Sequence, residues 1–379
     1  MIPTTALAAS LPWTPPAQAL AAVAAVSLAL VLLRHAAARL GVTRLGGERV
    51  LVLGSGRLAH TLIAGLEACG PSRFKVVGVL ADEGEMPPDS CRLLGRLEEL
   101  EEVVESVRPE RIVVALTARR GRMPVRSLLE VRVQGIAVED GHALYERLTG
   151  KLAIEELVPS GLIFSPDCRA NRRSRALGRA LSLIAAMLAL ALLAPLLGLI
   201  ALLVILDSGR PAFFLHERLG LGGRRFNLVK FRTMRRASRA RSEWERDNLE
   251  RITRVGRWLR RFRLDELPQF WNVLKGDMNL IGPRPHPVTN LRLFDERVPY
   301  YRLRLAVRPG ITGWAQVRYG YANNLEQEIE KMRYDLYYIK HQSARLDLAI
   351  LFETAQFMLS ARESASPRRF APEPTFGVR

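Results

Sequence analysis

The densest chemistry in this chain lies between Leu264 and Pro285, which reads Leu-Asp-Glu-Leu-Pro-Gln-Phe-Trp-Asn-Val-Leu-Lys-Gly-Asp-Met-Asn-Leu-Ile-Gly-Pro-Arg-Pro. Two adjacent carboxylates, Asp265 and Glu266, sit directly downstream of a dense run of arginines. A carboxylate near arginines stays ionised. It can attack phosphorus if cations neutralise the phosphate it approaches. Magnesium suits such a site, because it binds few carboxylates and shares phosphate oxygens; Asp265 is the candidate ligand. No His or Cys cluster offers zinc or iron ligands. A blander reading makes Asp265 a helix N-cap, with Pro268 in the first turn. That reading leaves Glu266, Asp277, Arg284 and the preceding arginines unexplained.

Other residues around this stretch handle anions. Gly282-Pro-Arg-Pro285 fixes φ at two prolines and so presents Arg284 from a stiff backbone. Pro309-Gly-Ile-Thr-Gly-Trp314, with Arg308 before it, is a similar turn. Upstream, Lys230-Phe-Arg-Thr-Met234 ends an apolar and aromatic strand pattern, Phe226 to Val229, so Lys230 and Arg232 could clamp phosphate oxygens. They could equally be a solvated basic edge that discourages sheet pairing. Arg251, Arg254, Arg257, Arg260 and Arg263 recur every third residue, with Arg261 added, which at helical spacing makes a basic stripe for anionic lipids or diphosphates.

A second motif lies far upstream. Val50 to Leu53 reads as a buried strand, followed by Gly54-Ser-Gly56-Arg-Leu-Ala59 and a helical pattern; Asp82 follows the next strand. Glycines at such a turn let backbone amides approach a pyrophosphate, and the later acid can bind ribose. Any tight strand-to-helix connection also needs them. Residues 49–158 therefore read as a Rossmann-like parallel-sheet domain, with strands at Val50–Leu53, Val76–Leu80, Arg111–Leu116 and near Gly135–Val138. Its role is open between structure or regulation, nucleotide sensing and hydride chemistry.

Elements that position these groups include membrane segments. Ala17 to Leu33 is almost wholly apolar, with Arg34, His35, Arg39 and Arg44 after it and no Lys or Arg before it. That predicts an anchor with its N-terminus outside and the rest on the cytoplasmic side. Ala180 to Leu206 is uncharged and contains Pro195. Arginines flank it on both sides, so charge leaves two options: a kinked span, or a helix that breaks at Pro195 and returns to the face it entered. The net charge of +18 over 379 residues calls for polyanionic partners. Proximity of the stripe to a membrane segment points to anionic lipids and phosphorylated substrates, not nucleic acid. Three scattered cysteines suggest reduced thiols.

With these residues assembled, Arg169 to Thr354 resembles the bacterial sugar transferases, the monotopic polyprenyl-phosphate phosphoglycosyl transferases. The carrying motifs are Lys230-Phe-Arg-Thr-Met234, Leu264-Asp-Glu-Leu-Pro-Gln269, Asn272-Val-Leu-Lys-Gly-Asp277, Gly282-Pro-Arg-Pro285, Pro309-Gly-Ile-Thr-Gly-Trp-Ala-Gln316 and Asp347-Leu-Ala-Ile-Leu351. The first half resembles the nucleotide-binding-like domain of larger exopolysaccharide-priming members.

The resemblance implies transfer of a sugar-1-phosphate from a nucleoside-diphosphate sugar, usually a UDP-sugar, to undecaprenyl phosphate, with Mg²⁺ as cofactor. Asp265 would be the nucleophile, and Glu266 would place the metal or manage protons. Arg260 and Arg284 would hold phosphates, and Lys230 and Asp347 match positions near the site. Pro195 would turn the hydrophobic helix back to the cytoplasmic face of the bacterial inner membrane, although Ala194 stands where family helices often carry Ser. Common large members begin with several spanning helices; this chain has room for one. Polysaccharide-assembly proteins and a second copy of the chain are expected partners.

The expected order is an anchor and its flank (1–48), the Rossmann-like domain (49–158), a basic linker (159–179), a re-entrant helix (180–206), a mainly helical α+β catalytic domain (207–360) and a disordered tail (361–379). The class is α/β.

Overall fold

A computed structural model of the chain describes residues 47–81, 91–116, 122–154, 172–235, 250–320, 322 and 324–359. The anchor at 17–33, Asp82, the linker at 159–171 and the tail at 361–379 lie outside the described residues.

Strands β1 (Glu48–Leu53), β2 (Phe74–Leu80), β3 (Leu93–Gly95), β4 (Arg111–Val114) and β5 (Ala137–Asp140) form one parallel sheet, ordered β3-β2-β1-β4-β5. Between them run α1 (Arg57–Ala68), α2 (Leu100–Val107) and α3 (Val125–Val133), and α4 (Gly141–Thr149) follows β5. A sheet covered on both faces needs strands that are apolar throughout. β1 supplies this: Val50 and Val52 pack toward α1 and α4, while Leu51 and Leu53 pack toward α2 and α3. The sequence leads to four of these strands. The remaining one, β3, has three residues and ends in Gly95, too short to register as a strand run.

Gly54 ends β1 at φ +106°, and a Cβ there would lie 2.8 Å from the Ala115 carbonyl oxygen. Close approach of the β1 and β4 ends therefore accounts for this glycine without a ligand. Gly56 occupies the N-cap position of α1.

A single helix among the described residues, α5 (Arg172–Ser208), is long and apolar enough to cross a membrane, and Pro195 lies inside it. Leu188, Leu192 and Leu206 project away from the protein, being 66%, 79% and 74% exposed. Both sides of Pro195 nevertheless pack on one domain. Ala186 meets Phe226, Val273 and Met278, while Ile200 and Val204 meet Phe231 and Leu259. Arg179 donates to the Met278 and Val273 carbonyls at 2.7 and 2.8 Å, and Asp207 accepts from the Val255 amide at 3.0 Å.

That domain contains the antiparallel pair β6 (Phe213–Leu219) and β7 (Arg225–Phe231), then α6 (Arg254–Arg261) and α7 (Gln269–Lys275). β8 (Asn279–Ile281) pairs in parallel with β9 (Gly310–Thr312), with α8 (Leu291–Arg297) between them. Helices α9 (Trp314–Arg318), α10 (Leu325–Lys340) and α11 (Ala344–Leu359) close it. The chain leaving α4 packs against this domain. Leu152 and Ile154 join Phe294, Tyr301, Met332 and Leu336 in one core. Trp314 Nε1 donates to the Gly150 carbonyl at 2.8 Å, and Lys340 Nζ lies 2.8 Å from the Glu146 carboxylate.

Candidate active site

Asp265 and Glu266 sit on a single 3₁₀ turn, Leu264–Glu266, placed by three devices. First, α6 is anchored at its start: Thr253 caps it by accepting from the Gly256 amide at 2.9 Å. Second, Arg260 Nε on α6 donates to Thr233 Oγ1 at 2.9 Å, tying the helix to the end of β7. Third, Arg263 takes the left-handed conformation at φ +56°, which turns the chain sharply into the carboxylate pair. Non-glycine residues hold that conformation only where surrounding contacts impose it, a pattern common at functional sites. The next helix, α7, begins after Pro268, so Asp265 is not its N-cap.

The two carboxylates meet different surroundings. Glu266 Oε1 accepts from Arg284 Nη2 at 2.7 Å and lies 3.6 Å from Arg263 Nη1. Burial pushes its pKa up, but Arg284 and Arg263 outweigh burial and hold it well below the usual carboxylate range. Asp265 is 8% exposed. Burial, then the charge of Glu266, pushes its carboxyl upward, against the partial pull of Lys230, Arg260 and Arg263. One carboxylate is thus kept firmly ionised, and the other holds a proton more readily than an ordinary aspartate.

Two motifs distant in sequence form one backbone unit beneath Arg284. The Gly282 amide donates to the Thr312 carbonyl at 2.9 Å, and the Gly310 amide to the Pro283 carbonyl at 3.0 Å. A Cβ on Gly313 would lie 2.1 Å from the Gly282 carbonyl oxygen. Only glycines permit this contact, so Gly-Pro-Arg-Pro and Pro-Gly-Ile-Thr-Gly hold each other. Arg304 Nη2 donates to the Arg284 carbonyl at 2.6 Å and pairs with buried Asp335 at 2.8 Å.

A cavity of about 1140 Å³ opens beside this turn. Its apolar walls include Leu190 and Leu197 of α5, Phe213 and Phe214 of β6, and Trp271 of α7. Lys230, Arg260 and Arg284 also line it. His286, Asn290, Glu328 and Lys331 add polar lining. Lys230 Nζ sits 5.4 Å from the Phe214 ring centroid. Burial, then Arg218, pushes its ammonium down to about 8, against the pull of Asp265.

Not every candidate converges here. Arg232 borders the cavity, but its guanidinium donates to the Ser208, Gly209 and Arg210 carbonyls and so fastens the end of α5. Asp265 and Glu266 lie behind the lining, next to the lining cations Lys230, Arg260 and Arg284, and Arg308 and Asp347 do not line the cavity either. Asp347 accepts from the Tyr338 hydroxyl at 2.9 Å, and Arg308 lies near Arg179. The three-residue arginine repeat also divides, because it drifts around a helix of 3.6 residues per turn. Arg254, Arg257 and Arg261 are exposed with Trp258 and Phe262, whereas Arg260 and Arg263 turn toward the site.

Sequence reasoning missed the polar lining. Glu328, Lys331 and Asp335 are spaced i, i+3, i+7 on the same face of α10 as buried Met332 and Leu336. Charged residues in register with an apolar stripe were the available signal.

Among the described residues no group of three or more His, Cys, Asp or Glu side chains could hold a metal. Magnesium needs fewer, since substrate phosphates complete its shell. The adjacent carboxylates Asp265 and Glu266 fit that demand.

Residues 173–361 match the family model described as bacterial sugar transferase. A UDP-N-acetylgalactosamine-undecaprenyl-phosphate N-acetylgalactosaminephosphotransferase of Aeromonas hydrophila is 42% identical over 219 residues, 57% of this chain and 50% of that protein. An undecaprenyl-phosphate glucose phosphotransferase of Komagataeibacter xylinus is 32% identical over 337 residues, 85% of this chain and 61% of that one. A UDP-glucose:undecaprenyl-phosphate glucose-1-phosphate transferase of Caulobacter vibrioides is 43% identical over 186 residues, 48% of this chain and 69% of that one. The matched region thus spans about half to three fifths of the first two relatives' length.

Proposed function

The chain belongs to the bacterial sugar transferase family, and from that premise we propose that it moves a sugar-1-phosphate from a UDP-sugar to undecaprenyl phosphate at a membrane surface. The observation that carries this reading is the setting of Asp265: buried, and close to Lys230 and Arg260, two cations that line a cavity with both apolar and polar walls. The relatives' names supply the donor and acceptor classes.

The proposed chemistry has two displacements. A carboxylate oxygen of Asp265 attacks the sugar-bearing phosphorus. The bond from that phosphorus to the bridging oxygen breaks, and UMP leaves with the oxygen and its electron pair. An oxygen of undecaprenyl phosphate then attacks the same phosphorus, and the acyl-phosphate bond to Asp265 breaks. The carboxylate is restored, and the product is undecaprenyl-diphosphate sugar. Lys230, Arg260 and Arg284 neutralise phosphate charge through both steps. Arg284 and Arg263 keep Glu266 ionised and a weak base, which suits it to hold a cation and not to take up or donate a proton. Asp265 and Glu266 would hold Mg²⁺ together with donor phosphates; when bound it supplies further charge neutralisation at phosphorus.

Membrane placement follows from α5. A helix crossing a hydrocarbon layer of about 30 Å puts its ends on opposite sides. Here Arg179 and Ser182, before Pro195, and Asp207 and Ser208, after it, all bond to the same polar domain. This supports re-entry, with both ends on the cytoplasmic face of the inner membrane. Exposed Arg254, Arg257 and Arg261 beside Trp258 would rest on anionic headgroups. In this reading the enzyme performs the first membrane step of exopolysaccharide or O-antigen synthesis.

The test is UMP release by the purified full chain with Mg²⁺, undecaprenyl phosphate and a panel of UDP-sugars, beside Asp265→Asn. Release that needs the lipid phosphate and disappears in the variant supports the assignment. A variant with wild-type turnover would overturn it.

A further inference from the structure

The polar lining of the cavity has an unusual composition. Glu328, Lys331 and His286 are nearly inaccessible to solvent yet border open space. Glu328 Oε1 lies 3.5 Å from Lys331 Nζ, longer than a hydrogen bond between them. Glu328 Oε2 faces His286 Nε2 at 3.3 Å, but without hydrogen-bond geometry, and neither atom has a hydrogen-bond partner among the described residues. The other ring nitrogen of His286 is engaged with the Tyr301 hydroxyl at 3.1 Å. Asn290 borders the same space from the loop leading into α8.

A purely structural network would satisfy these atoms, because buried polar groups left unpaired cost about 1–3 kcal/mol each, more when charged. The neighbouring Arg304–Asp335 pair makes closer contact, at 2.8 Å, with Arg304 also donating to the Arg284 carbonyl. Glu328 and Lys331 stand farther apart, in the lining of a cavity that also carries Lys230, Arg260 and Arg284. Arg284 and His286 are separated by one residue, so phosphate and polar subsites are continuous. What fits beyond a diphosphate, against an acceptor-only carboxylate, a donor-only ammonium and an amide, is a ring bearing adjacent hydroxyls. Each hydroxyl can donate to Glu328 and accept from Lys331 or Asn290.

We propose that Glu328, Lys331 and Asn290 form the subsite that binds vicinal hydroxyls of the nucleotide-sugar donor. This rests on the donor class assigned above. The hydroxyls belong to the transferred sugar or to the ribose, and these share one chemistry. Discrimination follows, since a site built to hydrogen-bond a hydroxyl rejects rings that misplace it.

Binding distinguishes the outcomes without turnover. Calorimetry would measure affinities of UDP-glucose, UDP-galactose, UDP-N-acetylgalactosamine and UMP for wild type, Glu328→Gln and Asn290→Ala, in detergent with Mg²⁺ and no lipid phosphate. Asn290→Ala lies outside the charged network and guards against misfolding of the first variant. Weakening of UDP-sugar binding by about tenfold or more, with UMP unchanged, assigns the subsite to the sugar. Equal weakening of UMP assigns it to ribose. Unchanged affinities in both variants, or no UDP-sugar binding by wild type, would overturn the proposal. Failure of the transfer reading looks different: donor binding that depends on Glu328 but no UMP release on adding undecaprenyl phosphate.

Discussion

Arg284 Nη2 lies 2.7 Å from Glu266 Oε1, and this contact joins the Gly-Pro-Arg-Pro turn to the carboxylate turn 18 residues earlier. Both partners are already held by other groups. The Arg284 backbone is held by Arg304 and rests on the Gly282–Thr312 and Gly310–Pro283 bonds, and Glu266 is flanked by Arg263. The cation that would bind phosphate therefore arrives preorganised, which limits reorganisation at the moment of reaction.

Replacing Arg284 by alanine strands a buried carboxylate. Loss of one partner of such a pair costs about 3–5 kcal/mol. With Arg263 still near Glu266, the lower end is expected. Thermal unfolding in detergent should show a clear fall in Tm, and Glu266→Gln added to Arg284→Ala should recover much of it. Turnover stays lost in both. A single variant as stable as wild type would mean the pair contributes nothing.

Asp265→Asn should separate stability from activity. Burial raises the folded-state pKa of Asp265 above its unfolded value. The folded state then binds more protons, so stability falls as pH rises from the ordinary aspartate range through the raised value. At neutral pH the ionised form carries that cost in full, and asparagine does not. The variant should melt higher, by roughly 2–4 °C for each kcal/mol relieved in a domain of this size. UMP release should drop on the order of 10⁴-fold or more. A lower Tm at pH 7.5 would contradict the first expectation.

The dependence of kcat/KM on pH should be bell-shaped. On the acid side activity falls as Asp265 takes up a proton. On the alkaline side it falls as Lys230 loses its proton near 8 and the phosphate subsite loses a charge. Initial rates from pH 5 to 10 check this, and a flat profile through pH 9 would exclude Lys230 as a required cation.

The two ends of α5 should share one side of the membrane. Arg175 and Arg210 are exposed and bracket the apolar stretch. Cysteines placed there singly, in a chain whose Cys69, Cys91 and Cys168 are replaced, should both resist an impermeant maleimide added outside spheroplasts. Both should react after lysis. Labelling of one from outside would mean a kinked span.

Much of this protein was legible in residue order alone. Parallel-sheet topology followed from strands alternating with helical patterns, because parallel neighbours need crossover helices between them. The carboxylate turn and Arg284 stood out as charge beside a rigid Pro-containing backbone and Lys230 as a cation ending a strand, while Arg260 was singled out by the resemblance of its motif. Other features required coordinates. Arg232 carries the same charge as Lys230 two residues away, yet donates to the carbonyls closing α5, and nothing local distinguishes the two fates. Arg308 and Asp347 belong to recognisable motifs but face other groups, Arg308 lying near Arg179 and Asp347 accepting from Tyr338. Glu328 and Lys331 look in sequence like an ordinary charged helix; the groups that face them, His286, Arg284 and Arg304, lie far away along the chain. Local sequence determines residue chemistry and element type, since those depend on neighbours a few positions away. Which charges face each other, a carbonyl or an open cavity depends on long-range packing, and only the tertiary structure decided that.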